Sequence, residues 1–137
     1  MGPVLSDAVT RFRAAYLAHD LEAMTAELGP DFELHSAVAA EPIRGRDAGR
    51  PLFQALLEVF DHVHYLGELS GAVWNSGPAQ ARVLLFRGHV DNVAADGIAL
   101  LQVDDSDRIA VMTSMIRPMA AMTALSERIH EFLETGL

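Results

Sequence analysis

The spacing of apolar residues changes along the chain, from a helical period in its N-terminal part to strand-like alternation in its C-terminal part. A stripe of residues at helical spacing predicts a first helix: Leu5, Val9, Phe12 and Tyr16. Ser6 or Asp7 is the expected N-cap, because a short polar side chain can accept a hydrogen bond from a free N–H of the first turn. Asp20 should cap a short second helix, which Gly29-Pro30 should end.

A third helix and a run of strands are predicted next. Residues 31–38 are expected to form the first strand and 39–46 a loop, and Asp47 should cap the third helix. The apolar face of that helix consists of Leu52, Phe53, Leu56, Leu57 and Phe60. Further strands are predicted at 62–69, 72–76, 80–91, 96–104 and 108–117, with turns at 76–78, 94–97 and 104–107. Pro118 should begin a final helix with the apolar side Met122, Leu125, Ile129 and Phe132.

The order of these elements indicates an α+β fold. A long curved sheet, mixed or antiparallel, must bury its concave face, and the helices are the available cover. Three helices cannot fill a strongly bent sheet completely, so the expected architecture is a cone-shaped half-barrel that encloses a pocket. Residues 1–137 are expected to form one domain, since a chain of 137 residues has the usual size of a single domain.

Composition excludes several classes of function. The formal net charge is −9, which disfavours binding to nucleic acid. All ten basic residues are Arg, so Schiff-base chemistry on Lys and a lysine-containing phosphate loop are excluded. Cysteine is absent, which removes disulfides and thiolate chemistry. No membrane span, export signal or cofactor is expected, and the cytoplasm is the expected compartment.

Five short motifs, in this order, resemble the nuclear transport factor 2-like superfamily and its SnoaL-like group. They are Asp20-Leu21-Glu22, Pro30-Asp31-Phe32, Gly45-Arg46-Asp47, the segment 104–109 and Ile116-Arg117-Pro118. The resemblance covers about residues 5–133 and implies the cone-shaped fold. It does not imply one activity, because the fold hosts isomerases, cyclases, epoxide hydrolases, dehydratases and binding domains.

The catalytic groups of two such relatives are missing here. Ketosteroid-isomerase relatives use a phenol, a carboxylate base and a protonated carboxylic acid, and the matching positions are Phe12, Ser36 and Ala99. Epoxide-hydrolase relatives use an Asp-Arg-Asp arrangement, and the matching positions lie near Ala81, Val83 and Ser114. The resemblance therefore disfavours both of these chemistries.

Two residues are the candidates for acid–base chemistry. His35 lies in the predicted first strand and is either a general base or a half-buried histidine bonded to a neighbour. Tyr16 follows Phe12 by one helical turn and either supplies a hydroxyl donor to the cavity or packs its ring there.

Histidines elsewhere suggest two further alternatives. His62 and His64 lie two residues apart, and they form either two corners of a metal site or a polar strand edge; no third ligand is evident, so no metal site is predicted. Arg87, His89 and Asp91 alternate with apolar residues and form either an anion site or charge relay, or a solvated face.

The sequence predicts a binding protein for a small hydrophobic molecule. Its expected ligand-binding residues are Phe12, Ser36, Phe53, Trp74, Ala99, Met112 and Ser114. Isomerase, cyclase or dehydratase activity on a polyketide- or terpenoid-like substrate is one hypothesis; a non-catalytic carrier or dimeric interaction module is the other. Trp74 is either a pocket wall or an anchor of a dimer interface. A homodimer is expected, since the exposed face of the sheet usually pairs with its copy in this family.

Overall fold

The computed structural model describes residues 7–74 and 79–135. Over these ranges the chain forms α1 (Ala8–Leu17), α2 (Leu21–Ala26), β1 (Leu28–His35), β2 (Ile43–Arg44), α3 (Arg46–Val59), β3 (Asp61–Val73), β4 (Ala79–Val90), β5 (Val93–Val103), β6 (Ile109–Arg117) and α4 (Met119–Glu134). The described residues include no helix that is both long and apolar enough to cross a membrane.

The strands that the structure describes form one six-stranded sheet in the order β2-β1-β6-β5-β4-β3. β1 and β6 run parallel, and each of the other neighbouring pairs is antiparallel. The sheet is open, with β2 and β3 at its edges. The α+β class with a mixed sheet is therefore confirmed.

The apolar core lies between the sheet and the helices α1, α3 and α4. Phe12 on α1 packs edge-on against Phe53 on α3, with ring centroids 5.6 Å apart. Phe53 also contacts Phe32 of β1 at 6.1 Å. Leu125 and Ile129 bury the inner side of α4. These contacts confirm the apolar stripes that the spacing predicts for the three helices, except at Met122, which does not join the core, and Leu5, which lies outside the described residues.

A network of charged side chains fixes the start of α1 against the sheet. Asp7 caps the helix by accepting a hydrogen bond from the N–H of Thr10, and its carboxylate also pairs with Arg82 of β4. Arg82 lies 2.7 Å from Glu68 of β3, which also pairs with Arg13 of α1. Burial works against the charged form of Asp7, but hydrogen bonds from Arg82 and Thr10 outweigh it and lower the pKa of Asp7 to about 2.

Several predicted boundaries are wrong. The turn predicted at 94–97 is a two-residue turn at Asp91-Asn92, whose φ angles are 49° and 69°. Asp and Asn tolerate positive φ, and two such residues in succession suit the tight hairpin turn between antiparallel strands. As far as the structure describes them, the strands predicted at 62–69 and 72–76 are the single strand β3, because the pairing with β4 continues through Gly71 opposite Ala81.

The structure also corrects the ends of two elements near the N-terminus. β1 begins at Leu28, so Gly29-Pro30 lies inside the strand, where an irregular register accommodates a residue without an N–H. Gly45, not Asp47, is the N-cap of α3, because its φ of 96° suits glycine. The predicted caps Asp7 and Asp20 are confirmed. Ser6, Leu5 and the predicted turn at 76–78 lie wholly or partly outside the described residues.

Two glycines on the concave face of the sheet allow aromatic rings to lie directly on the strands. A Cβ atom at Gly88 would lie 2.0 Å from Cε1 of Phe60. A Cβ atom at Gly97 would lie 2.5 Å from Cζ of Phe86 and 2.7 Å from the backbone oxygen of Met115. Neither space can accept a methyl group unless its neighbours move.

The substitution Gly97→Ala should lower the melting temperature of the protein. The added methyl group meets a ring on one side and backbone on the other, and overpacking of this kind costs about 1–3 kcal/mol. Thermal unfolding followed by circular dichroism gives the measurement. Gly71→Ala is the matched control, since a Cβ atom there meets nothing within 4 Å, and its melting temperature should stay within the error of wild type. Equal effects of the two substitutions would contradict the packing described here.

Candidate functional site

A cavity lies between the concave face of the sheet and the helices, toward one end of the cone. Side chains from α1, α3, α4 and five of the strands line it. They are Phe12, Tyr16, Leu34, Ser36, Ala37, Leu52, Leu56, Phe60, Val63, Tyr65, Leu84, Phe86, Ala99, Met112, Ser114, Ile116, Leu125 and Ile129. The wall is overwhelmingly apolar, so this cavity favours molecules that gain by leaving water.

The cavity is small. Its volume is about 60 Å³. An engineered apolar cavity of ~150 Å³ holds one benzene molecule. The enclosed space is therefore smaller than one benzene ring needs, so a ligand of one ring would also occupy the part of the site that opens into solvent.

Four hydroxyl groups are the side-chain oxygen atoms of the lining. They belong to Tyr16, Ser36, Tyr65 and Ser114. Ser36 accepts a hydrogen bond from the N–H of Val38 at 3.2 Å, which uses part of its capacity locally. Among the described residues, none donates to or accepts from the hydroxyls of Tyr16, Tyr65 or Ser114. All three belong to residues that line the cavity, so each is a candidate partner for a molecule bound there.

The two tyrosines are held in the neutral form. Burial among apolar side chains raises the pKa of Tyr16 above the ordinary value of 10.0, and the nearby Tyr65 raises it further. Burial also raises the pKa of Tyr65, and Arg13 opposes this shift only in part. A neutral phenol donates one hydrogen bond, so the pair is suited to an oxygen acceptor such as a carbonyl group.

The described lining residues include no Asp, Glu, His, Lys or Arg. The cavity therefore offers hydrogen-bond donors without an ionisable group that titrates near neutral pH. Such a site can hold and polarise an oxygen atom, but it provides no side-chain base for removing a proton from carbon.

A family model of the SnoaL-like domain matches residues 9–115 of the chain. The chain belongs to the SnoaL-like family. No curated protein sequence matches it.

Solved structures, among them a nuclear transport factor 2-like protein, share the predicted fold of this SnoaL-like protein. A nuclear transport factor 2-like protein from Burkholderia xenovorans has 18% identity and a TM-score of 0.62, over 89% of this chain and 99% of that one. A steroid delta-isomerase from Pseudomonas aeruginosa has 25% identity and a TM-score of 0.83, over 98% and 97%. A candidate polyketide cyclase from Xanthomonas campestris has 18% identity and a TM-score of 0.65, over 87% and 94%.

The structure brings six of the predicted site residues of this SnoaL-like protein together in the cavity lining. They are Phe12, Tyr16, Ser36, Ala99, Met112 and Ser114. They lie on α1, in the loop after β1, and on β5 and β6, which are distant in the sequence. Those on the strands face one space because alternate residues of each strand lie on the concave side of the sheet.

Three other predicted site residues lie elsewhere. His35 is absent from the cavity lining and pairs with Glu33, with Nε2 2.8 Å from the carboxylate. This position does not support the predicted catalytic role. Phe53 is fully buried in the core between Phe12 and Phe32. Trp74 is 78% exposed at the end of β3 and does not form a wall of the cavity.

The other candidate clusters do not assemble into sites. Arg87 pairs with Asp96, and Asp91 pairs with Arg128, so these two members of the predicted Arg-His-Asp series have separate partners. Nδ1 of His89, between them, is buried and has no hydrogen-bond partner among the described residues. His62 has a φ of 54°, and the register of β3 shifts between Asp61 and His64, so the regular spacing assumed for these histidines is lost. The part of the chain that the structure describes contains no group of three or more residues arranged to hold a metal ion.

Tyr65 is the polar lining residue that sequence reasoning missed. It lies in β3, in a segment read only as a strand, and an irregularity in the register follows it. Its ring packs edge-on against Phe86, with centroids 6.5 Å apart. One signal for Tyr65 was present in the sequence. It is one of two tyrosines in the chain, and its spacing of two residues from Val63 places both side chains on the same face of the strand.

The raised pKa values predict an unusual alkaline titration. The chain has two tyrosines, and both line the cavity, so the folded protein should show no phenolate absorbance at the ordinary pKa of 10.0. The unfolded chain ionises there, so above that pH the folded state binds more protons and its stability should fall as the pH rises. Spectrophotometric titration in the near ultraviolet, with circular dichroism in parallel, gives the measurement.

Ionisation should then coincide with loss of the native circular dichroism signal. The variant Tyr16→Phe should retain one late-titrating tyrosine and serves as the control for Tyr65. Ordinary titration of either tyrosine in the folded protein would contradict the burial described here.

Proposed function

We propose that this protein binds a compact, apolar small molecule that carries one oxygen acceptor, and that Tyr16 and Tyr65 hold that oxygen. The observation that carries the proposal is the pair of neutral phenols in an apolar cavity, with hydroxyls that have no partner among the described residues. The remaining wall supplies apolar contact, and its low polarity strengthens a hydrogen bond inside the cavity.

The cavity volume supports a smaller ligand than the sequence suggests. A polyketide- or terpenoid-like molecule of several rings greatly exceeds a space of about 60 Å³. Pockets for drug-sized ligands usually have volumes of ~300–1,000 Å³. A ketone or enone of one ring or less, or the end of a longer molecule, is the ligand class that this geometry favours.

Binding is favoured over proton-transfer catalysis by the composition of the lining. An isomerase of the ketosteroid type needs a base as well as an oxygen-binding site, and the described lining residues provide only the second. The isomerase and cyclase among the similar structures support a second candidate, in which the phenols polarise a carbonyl of a substrate that reacts readily once it is held in shape.

A matched pair of ligands tests the role of the phenols. Cyclopentanone should bind more tightly than methylenecyclopentane, because the two have nearly the same shape and only the ketone accepts a hydrogen bond. Tyr16→Phe or Tyr65→Phe should weaken ketone binding by ~3- to 10-fold, the value of one hydrogen bond of about 0.5–1.5 kcal/mol, and should leave hydrocarbon binding unchanged. Ligand-observed NMR gives both affinities.

The hydrocarbon is the internal control, since it reports the shape of the cavity in each variant. Equal losses for the ketone and the hydrocarbon would show that the rings, and not the hydroxyls, contribute to binding. Equal affinity of the wild-type protein for both ligands would reject the proposed role of the phenols.

The same proposal includes a homodimer that forms through the convex face of the sheet. We define the convex patch as Leu66, Leu69, Leu85, Ile98 and Met115. Three of its members are at least half exposed, at 50% for Leu66, 62% for Leu69 and 56% for Met115. An apolar surface of this kind is costly in water, and a second copy of the same face would cover it.

Substitution within the convex patch should separate the subunits. The double variant Leu69→Glu/Met115→Glu places carboxylates at the centre of the proposed interface, so its sedimentation coefficient should be that of a monomer while the wild type sediments as a dimer. Leu133→Glu is the control, because Leu133 is 47% exposed on α4, outside the patch. A wild-type monomer at micromolar concentration would reject the homodimer.

A further inference from the structure

Two rings cover the part of the sheet where side chains are smallest. Gly97 of β5 lies opposite Phe86 of β4, and the ring of Phe86 occupies the space that a side chain at 97 would need. Gly88 of β4 lies opposite Ala95, two residues along the strands from the pair Phe86 and Gly97. The ring of Phe60 occupies the space that a side chain at 88 would need. Both rings line the cavity, so the glycines let this wall lie as close to the strands as the backbone permits.

The two rings contact each other and one of the phenols. Phe60 and Phe86 pack edge-to-face with centroids 5.9 Å apart. Phe86 packs edge-to-face against Tyr65 at 6.5 Å. Phe86 therefore lies at the centre of a row of three rings, and its size and position determine both the depth of the cavity and the support of the Tyr65 ring.

Backbone blocks an added methyl group from behind at both glycines. A Cβ atom at Gly97 would lie 2.7 Å from the oxygen of Met115, and a Cβ atom at Gly88 would lie 3.0 Å from the oxygen of Asp61. The ring in front must then move, and the cavity of about 60 Å³ is one of the spaces that each ring borders. A displacement into the cavity would remove a large share of it.

We infer that Phe86, seated on Gly97 and supported by Phe60 on Gly88, is the specificity-determining residue that sets the largest ligand the cavity accepts. The class selected is a carbon skeleton of one ring or less. This inference names the size of the ligand and rests on the proposed function for its biological meaning. The wall itself acts by shape and does not depend on the hydroxyl groups.

Two hydrocarbons test the inference without the phenol hydrogen bonds. Affinities for benzene and naphthalene are measured by NMR titration, and contacts to the ring protons of Tyr16 and Tyr65 show whether each probe is in the cavity. Phe86→Leu should raise the ratio of naphthalene to benzene affinity by ~10-fold, the effect typical of one or two added carbon positions in an apolar pocket. Gly88→Ala should weaken benzene binding, because the ring of Phe60 is pushed into the cavity.

Phe32→Leu is the matched control. Phe32 is fully buried and contacts Phe53, but it does not line the cavity, so this substitution makes a comparable loss of ring volume elsewhere. For probes that contact the tyrosine rings, the ratio of naphthalene to benzene affinity in Phe32→Leu should equal that of the wild type.

An unchanged ratio in Phe86→Leu, an equal change in Phe32→Leu, or no arene contact with the tyrosine rings in any of the proteins would overturn the inference. The outcome is separable from that of the proposed function. If the protein selects arenes by size but does not prefer the ketone, the role of the phenols is rejected and the role of Phe86 stands. If it prefers the ketone but does not select arenes by size, only the role of the phenols stands.

Discussion

The contact between Asp7 and Arg82 fixes the helix on which the cavity depends. α1 has ten residues, too few to be stable by themselves in water, so its position is set by tertiary contacts. Asp7 caps the helix and pairs with β4, and Glu68 of β3 joins Arg82 to Arg13 on the same helix. Each pair is partly exposed and contributes little free energy alone. Together they fix the direction in which α1 presents its apolar side to the sheet.

The position of α1 determines where its residues Phe12 and Tyr16 lie. Phe12 meets Phe53 and closes the core, while Tyr16, four residues on, reaches the cavity from the same side of the helix. Phe12 therefore belongs to both the core and the cavity lining, and Tyr16 adds a hydroxyl group to that lining one turn later. Where relatives of the ketosteroid-isomerase type carry a phenol, this chain has Phe12, and its phenol lies one turn further along. A second phenol, Tyr65, comes from the edge strand β3.

Sequence patterns predicted the elements because these depend on periodicity. Much of the site, including Phe12, Ser36, Ala99 and Ser114, was predicted from the resemblance to family relatives. The stripes on α1, α3 and α4 and the alternation in β4 assigned residues to faces, and the facing residues define the cavity. Boundaries were less predictable where single residues adopt positive φ, as at Gly45 and Asp91-Asn92, because Asp and Asn are also ordinary loop residues. His35 was misplaced because a strand position one residue from Ser36 points to the opposite side.

The geometry of the wall was not predictable in the same way. That Phe86 lies over Gly97, and Phe60 over Gly88, depends on the register between strands and on the end of α3. The spacing of apolar residues predicts neither the register nor the end of the helix. Tyr65 was missed for the same reason, since its ring is placed by Phe86 rather than by a local motif.

The two glycines Gly88 and Gly97 affect the shape of the space in which a ligand could lie. Rings recessed against the strands leave room for a ligand in a place where a larger residue would have filled the core, so some packing is given up for an internal space. The space is then bordered by two phenols that burial keeps neutral, and the described lining contains no carboxylate to accept a proton. A neutral donor pair stabilises an oxygen atom whether or not it reacts. If the protein binds a ligand as proposed, the wall decides which molecule enters, the phenols decide how it is oriented, and any chemical step depends on the reactivity of the molecule that is held.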